Sequence, residues 1–268
     1  MSRVYRSIKD DRLSPDELHL PTDGPASDQR PLPEAACWRR RLELRFDTLP
    51  NDVQDALRGV TERRSYPPGA PIFRRGQRPL GLYRIDAGVV KVTRRMPDGP
   101  ETLILDLRGG GESLGEETLF DEAPHTTSAW ALHPVDLSLI PQDDVWAIMR
   151  DCPEFLEQLL GIYAVRVQRA QAKLARFRLD DVESRLAAAV LGLADRFGQA
   201  RDEGIVLPLD LHRWDWAQLV GARVETVSRI LHRWAARGWI RGGPGDLIVE
   251  NVDGLTASLE RRSPVRAW

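Results

Sequence analysis

Cysteine is nearly absent: the 268-residue chain has two, Cys37 and Cys152. Neither a disulfide framework nor a four-thiolate 4Fe–4S or zinc site can be assembled from two thiols. A reducing, cytoplasmic setting is the expectation. Long apolar runs are missing as well. No stretch approaches the ~18 residues a membrane span needs, and the opening MSRVYRSIKDDR mixes charges without an apolar core. Neither export nor membrane insertion is therefore expected. Histidine is sparse, with five in the chain. None clusters with carboxylates as the three or four ligands of a metalloenzyme would, so no catalytic residues and no metal site are assigned. A net charge of −2 gives no sign of a nucleic-acid partner.

The distribution of charge does give one. From Arg223 to Arg241 five arginines (223, 229, 233, 237 and 241) stand against one acid, Glu225. Ahead of this basic stretch the chain changes character several times. Residues 1–37, rich in Pro, Asp, Ser and Arg, read as a disordered arm. From Trp38 helical spacing suggests a short helix, a proline break and a second helix opened by Asn51. Residues 38–152 are otherwise dominated by short apolar runs punctuated by Gly69, Gly76, Gly88 and Gly99, the rhythm of a β-barrel or roll. Within them GESLGEETLFDEAPHTTSAW, Gly111 to Trp130, has the glycines and hydroxyls of a phosphate-holding loop. It contains no arginine or lysine.

Residues 153–179 read as one helix. Leu156, Leu160, Tyr163, Val167, Ala170, Leu174 and Phe177 follow steps of four and three, a heptad seam that predicts a parallel helix pair between two copies of the chain. Packing of this helix on its own β-region is the alternative. Residues 180–268 start a further domain: an amphipathic helix, a strand in GIVLPLDL, and two helices separated by VGAR with Gly221 at the turn. Together with a Gly-bounded strand in GDLIVENVDGL they spell a winged helix-turn-helix. On the second helix Glu225, Ser228 and Arg229 share one face near the N-terminus, the end that enters a major groove. Arg229 can fork onto guanine and Glu225 can accept from cytosine, while Val227, Ile230 and Leu231 supply the buried face. An ordinary Glu225–Arg229 ion pair is the bland reading of the same spacing.

The order of these parts, YPPGAPIFRRGQ and LYRIDAGVVKV, GESLGEETLF, the long helix, SRLA and VETVSRIL, resembles the CRP/FNR family of bacterial transcription regulators over about residues 40–255. The resemblance implies an α+β fold: a cyclic-nucleotide-binding-like β-roll, a dimerising helix and a winged helix-turn-helix reading a palindrome, with half-sites roughly 34 Å apart. It implies double-stranded DNA, a second copy of the chain and RNA polymerase as partners. Val224, Glu225, Ser228 and Arg229 look like the FNR/FixK/DNR branch and so imply TTGAT-like half-sites. Arg213 matches a phosphate-contacting position, and Arg223 precedes the reading face. His212 replaces the usual Ser or Thr cap, followed by Trp214 and Trp216, both expected to be packed.

For the effector, Gly115 and Glu116 match the cassette that holds a ribose in cAMP-binding members. The position of the phosphate-binding arginine falls on Thr126 or Thr127, and the helix positions that offer hydroxyls to the base fall on Ala170 and Gln171. Ordinary cAMP sensing is therefore not expected. Haem, with His125, His133 or His19 as ligand candidates, an unidentified small ligand, or no ligand at all remain open, so the cofactor is unassigned. A cyclic-nucleotide-type or haem-type regulator acting through a protein partner is the rival functional reading.

Overall fold

A computed structural model describes residues 43–95, 102–120, 123–242 and 246–259. All belong to the unit Pro33–Trp268, and the other unit, Met1–Leu32, lies outside them. The arm, Cys37, His19 and the helix start at Trp38 therefore fall outside the described residues. What can be checked of that first helix differs from expectation. Glu43 forms an isolated bridge to Glu112, and Phe46–Thr48 is a single 3-10 turn. Leu44, fully buried, is pinned there by its N–H bond to Gly111 O, so tertiary contact overrides the local helical spacing.

Helix α1 (Asn51–Val60) leads into β1 (Glu62–Tyr66), β2 (Pro71–Phe73), β3 (Gly81–Ala87), β4 (Val89–Arg95), β5 (Thr102–Gly109), β6 (Ser113–Leu114), β7 (Ser128–Ala131) and β8 (Val135–Pro141). They pair into two antiparallel sheets, ordered β1-β8-β3-β6 and β2-β7-β4-β5. Apolar residues from both sheets meet between them, among them Phe73, Tyr83, Ile85, Val92, Leu114 and Leu137. Strand alternation puts these on the inner faces, as a two-layer β architecture requires.

Helix α2 (Gln142–Asp151), which the glycine rhythm gave no hint of, joins the roll to α3 (Pro153–Leu179). Pro153 sits in the first turn of α3, where its missing N–H costs nothing, and 27 residues carry the helix about 40 Å. Two apolar stripes run along it. Phe155, Leu159 and Ile162 are buried with Leu57, Leu82 and Ile148 beneath the roll. The other stripe, Leu160, Val167 and Leu174, is 55%, 53% and 63% exposed.

The C-terminal region comprises α4 (Val182–Phe197), β9 (Gln199–Arg201), β10 (Gly204–Leu207), α5 (Arg213–Val220), α6 (Val224–Ala236), β11 (Ile240–Gly242), β12 (Leu247–Val249) and α7 (Val252–Leu259). Its four strands pair as β11-β12-β10-β9. Only β10 and β12 lie in runs read as strands, and α7 differs from expectation: NVDGL opens a helix, capped by Asn251, whose Oδ1 accepts the Gly254 N–H. The core around Trp216, Val227, Ile230 and Trp234 is continuous with Val89, Ile104 and Leu107 of the roll.

Candidate nucleic-acid interface and effector cassette

The turn between α5 and α6 is held by Gly221, at φ 59. A Cβ there would stand 2.7 Å from the Phe177 ring, so glycine serves both the left-handed backbone and the close approach of α3. On α6, Val227, Ile230, Leu231 and Trp234 are buried, while Glu225 and Arg229 are exposed and Ser228 is half-buried. No ion pair joins Glu225 to Arg229 among the described residues, which leaves both heads in water. Arg223 and Arg213 are exposed too, the latter reaching Ser228 O at 3.5 Å, and Val224 opens the helix. The six sequence-derived candidates thus gather around one helix end.

The basic stretch is weaker than its arginine count. Arg233 pairs with Glu183 at 2.6 Å, and the same carboxylate accepts the buried Trp234 indole N–H at 2.9 Å. Arg241 holds Glu250 at 2.6 Å and Glu203 at 3.3 Å, and Arg237 lies 5.0 Å over the Trp239 ring. Three of the five arginines are committed to the fold, leaving Arg223 and Arg229 for a partner. Of the two tryptophans expected to pack, Trp216 is buried, but Trp214 is 58% exposed, because one turn of helix cannot hide adjacent even positions on one face. The α5 start is also better secured than His212 suggests. Asp215 accepts the His212 N–H at 3.1 Å and the Lys91 ammonium at 2.8 Å, tying the helix to β4 of the roll.

In the cassette Gly115 has φ 85, and a Cβ would meet Gly81 O at 2.7 Å. Glu116, next to it, is 2% exposed. The loop itself has no cation, yet the fold brings two. The Arg108 guanidinium on β5 lies 3.0 Å from Glu116 Oε1, and Arg166 of α3 pairs with the same oxygen. Tyr163 donates its hydroxyl proton to Glu116 O, so this seam residue is partly turned inward. The other candidates disperse. Thr126, Ala170 and Gln171 are exposed, and Thr127 bonds Glu117 at 3.5 Å rather than facing Glu116. His125 is buried, stacked on Phe73 at 3.8 Å between ring centroids, with Nδ1 3.5 Å from Glu117. His133 is half-buried, and no group of three or more His, Cys, Asp or Glu able to hold a metal occurs among the described residues. Cys152 is buried; burial pushes its thiol up, away from the reactive thiolate.

Sequence reading missed the charges that join roll to C-terminal region. Arg196 of α4, 2% exposed, donates to Glu112 at 2.8 Å, Leu107 O at 2.6 Å and Asp106 at 3.2 Å. Burial pushes the Asp106 carboxyl up, but the guanidiniums of Arg196, Arg108, Arg166 and Arg169 outweigh it and hold the pKa at about 2. The signal was present: Asp106 and Arg108 interrupt an otherwise apolar strand at alternate positions, where solvated charges do not belong.

A β-roll, a long helix and a C-terminal helix-turn-helix with an exposed polar face together make the architecture of a DNA-binding regulator. Comparison makes this specific. The cyclic nucleotide-binding domain family matches residues 63–152 and the Crp-like helix-turn-helix domain family matches 184–258. The chain is 39% identical over 176 residues to the CRP-like cAMP-activated global transcriptional regulator of Mycobacterium tuberculosis, covering 66% of this chain and 78% of that protein. With the cyclic AMP receptor protein of Thermus thermophilus it shares 33% over 203 residues, 76% and 90% of the two chains. Among solved structures, a CRP/FNR-family transcriptional regulator of Thermus thermophilus aligns with a TM-score of 0.63 at 25% identity, covering 75% of this chain and all of that one. FixK2 of Bradyrhizobium japonicum, TM-score 0.65 at 20% identity over 74% and 96% of the chains, shares the fold. The chain belongs to the CRP/FNR family of transcription regulators and is a DNA-binding regulator.

Proposed function

We propose that two copies of the chain pair along α3 and read a palindrome of TTGAT-like half-sites, acting with RNA polymerase in the cytoplasm. The observation that carries pairing is the stripe Leu160, Val167 and Leu174, each more than half exposed beside a buried stripe on the same helix. Side chains of this size repeated at heptad spacing leave water only by meeting another helix, and a second copy offers the matching seam. Phe177, at the end of the stripe, already touches the α5–α6 turn and lies under Arg185 at 5.1 Å. Leu156 is half-buried in the roll's core, so the seam is centred on residues 160–174. The division into sensor roll, 153–179 helix and DNA-reading region 180–268 is part of the same reading.

At the helix end, Arg229 and Glu225 read base edges, Ser228 and Val224 flank them, and Arg213 and Arg223 meet phosphates. Binding of a labelled duplex carrying two TTGAT-like half-sites tests this. Wild-type protein should bind as a dimer, Leu174→Glu should sediment as a monomer and bind weakly, and Arg229→Ala should lose discrimination at one guanine. Equal affinity of wild type for a scrambled duplex would falsify the half-site assignment.

The names of the Mycobacterium tuberculosis and Thermus thermophilus relatives support a second reading of the sensor, binding of cyclic AMP at Glu116. Against it stand the missing loop arginine and the dispersal of Thr126, Thr127, Ala170 and Gln171. Arg108 and Arg166, the cations nearest the cassette, already hold Glu116. We therefore read the cassette as a structural knot and not as an ordinary cyclic-nucleotide seat. Calorimetric titration with cAMP decides, with tight binding lost in Glu116→Gln overturning that reading.

A further inference from the structure

Histidine is the side chain whose charge changes in the neutral pH range. Helix α6 carries one, His232, and leaves it exposed. At about 100° per residue it projects roughly 20° from Glu225, 40° from Ser228 and 60° from Arg229 around the helix. It therefore stands on the polar face, opposite the buried Ile230 and Trp234. Ala235 and Ala236, one turn further on, are exposed methyls that leave its approach open.

The helices and strand packed against α6 bring charge near this ring but no carboxylate to pair with it among the described residues. From α4, Glu183 is taken by Arg233 at 2.6 Å and by the Trp234 indole at 2.9 Å. From α5, Asp215 holds Lys91, and the Arg213 guanidinium reaches Ser228 O, one turn before His232, at 3.5 Å. From β11, Arg241 is held by Glu250 and Glu203. On α6 itself the neighbours are the cations Arg229 and Arg233, and Glu225 lies two turns back, about 10 Å along the axis. A counter-ion for a charged imidazole has to come from outside the chain.

We propose that His232, in its protonated form, holds a backbone phosphate at the edge of the half-site, so that DNA binding takes up a proton. This contact rests on the DNA reading proposed above. A reading helix enters the groove N-terminus first, with its base contacts there. The major groove is about 12 Å wide, and His232 stands about 10 Å beyond Glu225 along the helix, which carries it to the sugar–phosphate wall. A neutral imidazole offers that wall one N–H, whereas an imidazolium adds charge, and charge-assisted bonds are roughly twice as strong. Lysine or arginine in this place grips a phosphate at any neutral pH; histidine makes the grip conditional. A proton bound together with DNA makes affinity rise as pH falls through the range in which imidazole gains its charge.

Fluorescence anisotropy of the full chain with a TTGAT-like duplex and a scrambled one, at about pH 6 and about pH 8, tests this contact. Wild-type affinity for the matching duplex should be about tenfold higher at the lower pH, with a log–log salt slope steeper by about 0.9, one phosphate's worth. His232→Gln should lose both differences and bind as wild type does at the higher pH. His232→Lys should bind tightly at both, and circular dichroism should show both variants folded. An equal loss of affinity at the two pH values in His232→Gln is the mark of a packing role and overturns the contact. His212, exposed at the α5 start, lies 3.9 Å from Asp210 and is the control. His212→Gln should keep the pH dependence; loss there with retention in His232→Gln also overturns the contact. A flat wild-type profile with discrimination between the duplexes refutes the role of His232 and leaves the DNA reading intact. Equal binding of both duplexes with the pH dependence preserved refutes the half-site assignment and leaves this contact standing.

Discussion

Arg229 and Arg196 are the same residue type placed in opposite surroundings. Arg229 stands in water on α6 without an acid partner among the described residues, on the same helix end as an exposed Glu225. Arg196 is enclosed between α4 and β5, with its fork on two carboxylates and a carbonyl. A charge left in water keeps its hydrogen-bonding capacity for an outside partner, whereas an enclosed one is committed to the fold. The first should govern DNA affinity and leave stability alone. The second should do the reverse.

The largest effect is expected from Arg196→Ala. It leaves Glu112, 4% exposed, and Asp106 without their guanidinium, and breaking one side of such a buried pair costs about 3–5 kcal/mol. Chemical denaturation should show the loss directly, and a cost under about 1 kcal/mol would mean the network is not what joins the two regions. Next comes acid. The folded-state pKa of Asp106, about 2, lies below its ordinary 3.8. Its stabilising contribution, on the order of 2 kcal/mol, is full above about pH 4 and drains away as pH falls toward 2. Denaturation midpoints measured across that window should fall in wild type and fall less steeply in Asp106→Asn, whose starting stability is lower.

Arg229→Ala should weaken binding to the matching duplex by about 1–3 kcal/mol while moving stability by less than ~0.5 kcal/mol. Fluorescence anisotropy and a thermal melt, read together, check both halves, and a large drop in melting temperature would erase the contrast with Arg196. The smallest effect belongs to Lys91→Met. The Lys91–Asp215 pair is partly exposed, 24% and 13% for the two side chains, so roughly 1 kcal/mol of stability is at stake. Differential scanning calorimetry resolves a change of that size. If it instead altered DNA binding tenfold, the tie between β4 and the α5 start would be controlling the reading helix.

Much of this molecule follows from local chemistry. Glycine-punctuated apolar runs make the roll, since turns with positive φ need glycine and alternation needs one buried face. The VGAR turn with Gly221, and the spacing of Val227, Ile230 and Leu231 against Glu225, Ser228 and Arg229, separate a buried from a polar face of α6, because helical periodicity alone decides which side chains share a side. The heptad steps mark the stripe on α3 that the fold leaves uncovered. These are properties of neighbours in sequence.

What the sequence could not reveal is which charges meet across long separations. The loop from Gly111 to Trp130 holds no cation, yet Glu116 is gripped by Arg108 from a neighbouring strand and Arg166 from a helix fifty residues on. Likewise, Arg233 of the basic stretch finds Glu183 across 50 residues, and Lys91 reaches Asp215 across 124. An ion pair depends on distance in space and on exclusion of water, and both are set when the sheets and helices close on one another. Residue types and periodicity determined the elements and their faces; only the tertiary packing decided which charges stay in water and which hold the two regions together.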